Sequence, residues 1–352
     1  MNRSQSPWGK EETEYFYQLT PDRILDAVER SLGVRCTGRS FAHNSLENRV
    51  YELEIEAAEG ELAHRRSRVA YENFRIVKFY RPGRWTKEQI LEEHQFLLKL
   101  VEQENPVVAP LRFQDGQTLH QLPDMHIYYA VFPKVGGRSP QELSDEQVER
   151  VGRLLARMHQ VGASLRPQHR IQLNPGTYGW NNLQYLLDHN ILPESIRQPY
   201  QSMVEQICHL TEPWFAAVPA TQIHGDCHLG NLLWGDEGPF WVDFDDSVIG
   251  PPVQDLWLMV PGRDESCRLI LRRLIQNYEM LREFDWSSLR LIEALRALRL
   301  IHFSAWIAKR RQDPAFIRAF PDFGTEHYWQ VQLQDLREQL DLLVNDPQFW
   351  LH

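Results

Sequence analysis

Cysteine is scarce in this chain of 352 residues. The four present, Cys36, Cys208, Cys227 and Cys267, are scattered with no CxxC pair. That fits a reducing compartment better than a disulfide framework, so the cytoplasm is expected. A basic excess is also lacking, since 38 Lys and Arg against 48 Asp and Glu give a net charge of -10. A general nucleic-acid binder needs a basic face to replace counterions on phosphates, so no nucleic-acid partner is expected. No apolar run approaches the roughly 18 residues of a membrane helix. The opening MNRSQSPWGKEETEYF has no apolar core of a secretory leader, so no membrane partner is expected either. Internal repeats, low-complexity tracts and a GxGxxG loop are absent, and a monomer is the default.

What is present is concentrated in one stretch. From Gln222 the chain reads QIHGDCHLGNLLWGDEGPFWVDFDDSVIGPPVQDLW, the densest run of acidic and amide side chains among apolar residues. Asp226 and Asn231 lie five residues apart, and Asp243 follows twelve later. Oxygen ligands grouped this way suit a hard cation such as Mg2+, which takes carboxylates together with phosphate oxygens. Phosphoryl transfer also wants a separate carboxylate to orient the attacking hydroxyl. Leu232 to Trp234 and Phe240 to Phe244 read as strands about a turn at Gly235 to Pro239, a hairpin that would bring Asn231 and Asp243 to one end. His224, Cys227 and His228 fit no common structural zinc spacing, and their neighbours are hard-oxygen groups. His224 is expected to brace the loop.

Elsewhere, Thr20, Pro21 and Gly33 bound a helix over Pro21 to Leu32. Val34 to Phe41 and Arg49 to Glu56 read as a strand pair, and Glu59 to Arg68 as a solvated charged hairpin tip. Phe74 to Tyr80 is a strand with Lys78 inside its apolar run; such a lysine either snorkels to the surface or has a buried partner. The next helix opens with a Thr86 and Gln89 capping box. Ile90, Glu93, Leu97 and Val101 share one face of it at 100° per residue. A carboxylate in an apolar stripe is costly unless paired, and Lys78 is the natural partner. Val107 to Phe113 and His126 to Phe132 read as strands, the latter passing into Pro133, Gly136 and Gly137. Helices are expected from Ser144 to His159, Tyr200 to Phe215, Arg268 to Arg282, Leu289 to Lys309 and Tyr328 to Leu343, with another opened by Asp255.

HGDCHLGN followed by VDFDD resembles the catalytic and metal-binding loops of the aminoglycoside phosphotransferase and choline kinase branch of the protein-kinase-like fold. With NSLENRVYELE, IVKFYRPGRWTKEQILEEHQF, AVFPKVGGR and RLIHFSAW in order, the whole chain is similar to the bacterial stress response kinase family. The resemblance implies an α+β, bilobal fold, with an antiparallel-sheet N-lobe over 1–133 and a mainly helical C-lobe over 134–352. It implies ATP- and Mg2+-dependent transfer to protein Ser/Thr hydroxyls, in a stress response. Asp226 would be the catalytic base, Asn231 and Asp243 the metal ligands, and Lys78, paired with Glu93, the phosphate ligand. Asp255 would brace the catalytic loop, and Asp245 would either help the metal or take a turn-forming or solvated role.

Ser45, in HNSLEN where a kinase carries its phosphate-covering loop, would contact ATP; a plain polar turn is the alternative. The extended backbone around Phe132 would bind the adenine edge, the alternative being an ordinary strand-to-helix loop. HGDCHLGN is typical of kinases acting on aminoglycosides, choline or homoserine, so a small-molecule alcohol is the alternative acceptor. A metal-dependent phosphohydrolase would need neither the Lys78 and Glu93 pair nor a hinge. A non-catalytic pseudokinase would be marked by a missing Lys, Asp or Asn, and none is missing.

Overall fold

The computed structural model describes residues 16, 18–43, 45–56, 71–236, 238–260 and 262–351; the charged tip over 59–68 lies outside them. The described chain forms two compact units. The first holds residues up to Pro140 together with Leu232–Asp245, and the second holds Gln141–Asn231 and the residues from Asp246 onward. Sequence reading placed the boundary between 133 and 134 and left the hairpin with the helical half. In the structure Trp241 N–H donates to Pro106 O and the Trp234 and Arg138 backbones exchange hydrogen bonds, which ties that hairpin to the first unit.

In the first unit, helix α1 (Pro21–Leu32) is stopped by Gly33, whose φ of 67° only glycine adopts without strain. Five antiparallel strands follow: β1 (Cys36–His43), β2 (Arg49–Ile55), β3 (Phe74–Phe79), β4 (His120–Gln121) and β5 (Tyr128–Pro133), in the order β1-β2-β3-β5-β4. Strand alternation then assigns the faces. Leu53, Val77, Phe79, Tyr129 and Val131 pack in one core with Ile24 and Val28 of α1. On the opposite face Val50 pairs with Lys78 and Ile76 with Phe132.

Between β3 and β4, helix α2 (Lys87–Glu102) makes both bonds of the Thr86 and Gln89 capping box. Each such cap contributes about 1 kcal/mol. Ile90, Glu93 and Leu97 are buried as the spacing predicts, while Val101 is exposed and Leu100 fills the stripe instead. Phe96 is buried as well, so the buried stripe is centred nearer Glu93 and Leu100 than the spacing suggested, and Val101 falls at its edge. Val107 to Phe113 is not a strand: Pro106 and Pro110 have no N–H to give a ladder, and only Val107 makes a bridge, to Trp241. Strands β7 (Leu232–Gly235) and β8 (Gly238–Trp241) form the expected hairpin, with Leu232 opposite Trp241. It ends earlier than Phe244, because Asp243 adopts φ +59° and a left-handed residue cannot continue a strand.

The second unit is mainly helical. Helix α3 (Asp145–Ser164) has a Ser144 and Gln147 capping box and runs past His159. Helices α4 (Asn181–Asp188) and α5 (Glu194–Ala216) follow. The latter begins before Pro199, where sequence reading started it at Tyr200. Ile196, Tyr200, Val204 and Ile207 bury one continuous face, and that burial outweighs the missing proline donor. A short antiparallel pair, β6 (Thr221–Ile223) and β9 (Val248–Gly250), brackets the central loops. Helices α6 (Val253–Trp257), α7 (Glu265–Glu279), α8 (Leu291–Ala308), α9 (Pro314–Ala319) and α10 (Glu326–Asn345) complete the unit. Asp255 thus sits inside α6 instead of opening it. The core is built on α4, α5, α8 and α10, including Leu186, Ile207, Leu298, Ile301 and Trp329.

Candidate active site

Within the first unit a cavity of about 470 Å³ is lined by Ser45, Lys78, Glu93, Phe132 and Asp243, with Ile76, Leu97, Val108, Leu233, Val242 and Phe244 supplying apolar walls. That size and mixture suit a small organic ligand. The sheet face opposite the core provides Ile76, Lys78 and Phe132, α2 provides Glu93 and Leu97, and the hairpin brings Asp243.

Lys78 is buried among three carboxylates. Its Nζ lies 3.8 Å from Glu93, 3.2 Å from Asp243 and 3.0 Å from Asp245. The inward Glu93, only 1% exposed, meets Lys78 as the helical spacing requires, yet Asp245 is the closer partner. Burial alone would lower the Lys78 pKa; Asp245, Asp243 and Glu93 outweigh it and hold the ammonium charged. Asp245 is itself buried and bound by Arg84 at 2.5 Å, and Arg84 reaches Glu47 at 3.5 Å. Sequence reading left Asp245 open and missed Arg84, whose only signal was its place in RPGRW just before the helix. Asp243 differs from its neighbours: its side chain is 58% exposed while Oδ1 meets Lys78. An exposed carboxylate on a left-handed backbone, beside a cation that offsets its charge, is a hard-oxygen donor of the kind Mg2+ takes. Such a conformation at a non-glycine residue costs on the order of 1 kcal/mol or more and is typical of functional positions.

The second unit holds Asp226 and Asn231 on the loop after β6. Asp255, fully buried, accepts hydrogen bonds from His224 N–H at 2.9 Å and Gly225 N–H at 2.8 Å. Its Oδ2 also lies 3.0 Å from His159 Nε2, whose Nδ1 lies 3.0 Å from Tyr278 Oη in α7. The brace implied for Asp255 is therefore made through main-chain donors. Burial holds the His159 imidazole below its usual range, despite Asp255. His224 Nδ1 accepts from Asp226 N–H at 3.3 Å, a bracing contact as expected.

Around the Asp226 carboxylate, His228 Nε2 lies 3.3 Å from Oδ2 and Arg299 Nη2 lies 2.8 Å from Oδ1. Because Gly230 N–H donates to His228 Nδ1, the ring carries its proton on Nε2 and donates it to Asp226. Burial would raise the Asp226 pKa, but the His228 hydrogen bond and the Arg299 charge prevail and hold it well below the usual carboxylate range. Asn231 donates Nδ2–H to Asp226 O at 2.9 Å. Its nitrogen is therefore committed to the loop, which leaves the oxygen as the ligating end. Sequence reading did not single out Arg299, which stands far along the chain on α8.

The phosphotransferase enzyme family, APH, matches residues 54–292. Stress response kinase A of Escherichia coli K12 is 41% identical over 94% of this chain and 96% of its own. The serine/threonine protein kinase RdoA of Salmonella typhimurium LT2 is 39% identical over the same shares. Among solved structures, the amicoumacin kinase hAmiN in complex with AMP-PNP, Ca2+ and Ami shares the fold with a TM-score of 0.71 at 16% identity, over 95% of this chain and 96% of that one. A microcompartment-associated aminopropanol kinase does so with a TM-score of 0.63 at 17% identity, over 91% and 96%. The chain belongs to the phosphotransferase enzyme family and, within it, to the stress response kinases.

Proposed function

We propose that this protein transfers the terminal phosphoryl group of ATP to Ser and Thr hydroxyls of proteins in a bacterial stress response. The observation that most supports this is the cavity on which Ser45, Lys78, Glu93, Phe132 and Asp243 converge. The names of the relatives at about 40% identity favour a protein acceptor. In this reading the backbone at Phe132 meets the adenine edge, Ser45 covers the phosphates, and Lys78, held in place by Glu93, offsets their charge. Asp243 and Asn231 would hold Mg2+, which would supply positive charge against the phosphates. Asp226 accepts the hydrogen bond of the attacking hydroxyl. A carboxylate held below its usual range orients that hydroxyl more than it strips the proton, and a loose transition state asks for little more. The four cysteines, all unpaired, fit a cytoplasmic setting. No helix of the described residues is long and apolar enough to cross a membrane.

The test is transfer of terminal-phosphate label from Mg-ATP to the protein itself and to a generic protein acceptor, by the parent and by Asp226→Asn. Label on Ser or Thr that vanishes in the variant, with nucleotide affinity retained, is expected. Nucleotide binding without protein label would move the acceptor to a small alcohol, and no nucleotide binding would overturn the reading.

A further inference from the structure

Arg299 lies on the exposed side of α8, with 45% of its side chain open to solvent and Nη2 2.8 Å from Asp226 Oδ1. An arginine carries five N–H donors in a rigid fork, and the contact with Asp226 engages one edge of it. An ion pair on the orienting carboxylate weakens its basicity, so a cation placed there needs a further task. The surroundings supply one. The same face of α8 continues with His302, Phe303 and Trp306, Phe303 being exposed and stacked on Trp306 with centroids 5.6 Å apart, and with Lys309 just past the helix end. The single acidic residue of α8, Glu293, is buried and bound by Arg263 at 2.8 Å. This face therefore offers positive charge and aromatic surface next to Asp226, and no exposed carboxylate.

We infer that Arg299 anchors the acceptor by pairing with an anionic group beside its hydroxyl, so that the preferred acceptor is a Ser or Thr with Asp or Glu close by in sequence. The inference rests on the reading that Asp226 orients the acceptor hydroxyl. One edge of the guanidinium keeps Asp226 in place while the other receives the acceptor's carboxylate. Asp226 Oδ1, 2.8 Å from one edge of the guanidinium, and a carboxylate bound to the other would stand roughly 6 Å apart; the hydroxyl on Asp226 is one hydrogen bond further, a span that an extended chain with its side chains covers in about two residues. Arg299 is thus a specificity-determining residue.

The experiment uses the full chain with Mg-ATP and three synthetic peptides, identical except that the residues flanking one Ser are Glu, Gln or Lys. A charge-assisted hydrogen bond is worth enough to lower KM for the Glu peptide about tenfold against the Gln peptide, with kcat similar. Arg299→Gln should erase the difference between the peptides, raising KM for the Glu peptide about tenfold more than for the Gln peptide, whatever common change in kcat the lost pairing with Asp226 brings to all three. Arg299→Lys should keep part of the preference, since a point charge replaces the fork. Equal losses on all three peptides, or a parent that prefers the Lys peptide, would overturn the inference while leaving the kinase reading intact. A parent that binds nucleotide yet labels none of the three would overturn the protein-acceptor reading and this inference with it.

Discussion

Removing the Asp255 carboxylate tests whether the loop carrying Asp226 is held by a side chain buried well away from the substrate. Asp255 is fully buried and takes three contacts, from His224 N–H at 2.9 Å, Gly225 N–H at 2.8 Å and His159 Nε2 at 3.0 Å. In Asp255→Ala all three donors lose their acceptor. An orphaned buried donor costs about 1–3 kcal/mol, and water entering the space returns part of it, so a loss of about 3–5 kcal/mol is expected. That is a large share of a typical folding stability. Asp255→Asn is the sharper variant because it keeps the volume. Its amide nitrogen must face one of the three donors, which removes at least one bond and costs about 1–3 kcal/mol. Urea denaturation gives the stability, and hydrogen exchange at the His224 and Gly225 amides localises it. Displacement of a catalytic group by about 1 Å costs on the order of 10²-fold in rate, so phosphoryl transfer should fall by about that factor, while affinity for metal-free nucleotide, which the proposed function assigns to the cavity of the first unit, should stay put. An Asn variant within about 0.5 kcal/mol of the parent, with both amides equally protected, would refute the argument.

Lys78→Ala leaves Glu93, Asp243 and Asp245 without their shared cation and should cost about 3–5 kcal/mol, against about 1 kcal/mol for Glu93→Gln. In a Lys78→Ala and Glu93→Ala cycle the second change should be nearly free; additive losses on denaturation would deny the contact. Gly225→Ala should lower stability by about 2 kcal/mol or more, since φ is +85° and the new Cβ would stand 2.3 Å from the Asp246 carbonyl oxygen. An unchanged thermal midpoint would contradict it. Burial, with Arg310 nearby, lowers the Lys309 pKa to about 8, against about 10.4 in an unfolded chain. Between those values the folded protein has released a proton that the unfolded chain keeps, so this group's contribution rises with pH across that window and is lost as pH falls through 8. Lys309→Met should therefore gain on the parent by about 3 kcal/mol between pH 10.5 and pH 7, an advantage set against the lost hydrogen bond from Lys309 to Asn182. Denaturation at both values checks this, and a gap that does not change with pH would contradict it.

Local rules settled what near neighbours settle. The Thr20 to Gly33 helix, the Thr86 and Ser144 capping boxes and the β7–β8 hairpin were legible because caps, turns and periodicity act over a few residues. Glu93 was legible as an inward carboxylate for the same reason, since 100° per residue fixes its face whatever packs there. Where local rules were read too far, tertiary packing overrode them. Helix α5 runs through Pro199 to bury one face, and the segment from Val107 to Phe113, expected as a strand, makes only an isolated bridge from Val107 to Trp241 and a single bond from Leu111 N–H to Val131 O.

By itself, then, the sequence determined the capped helices, the central hairpin, the inward face of Glu93, and which carboxylates and amides lie on the two central loops. Tertiary structure alone decided that Asp245 is the nearest carboxylate to Lys78, that Arg84 shares it, and that Arg299 pairs with Asp226. The physical reason is distance along the chain. Helix and turn preferences are set by torsions and contacts within a few residues, whereas these ion pairs join groups 73 to 167 positions apart, whose meeting depends on how whole elements pack.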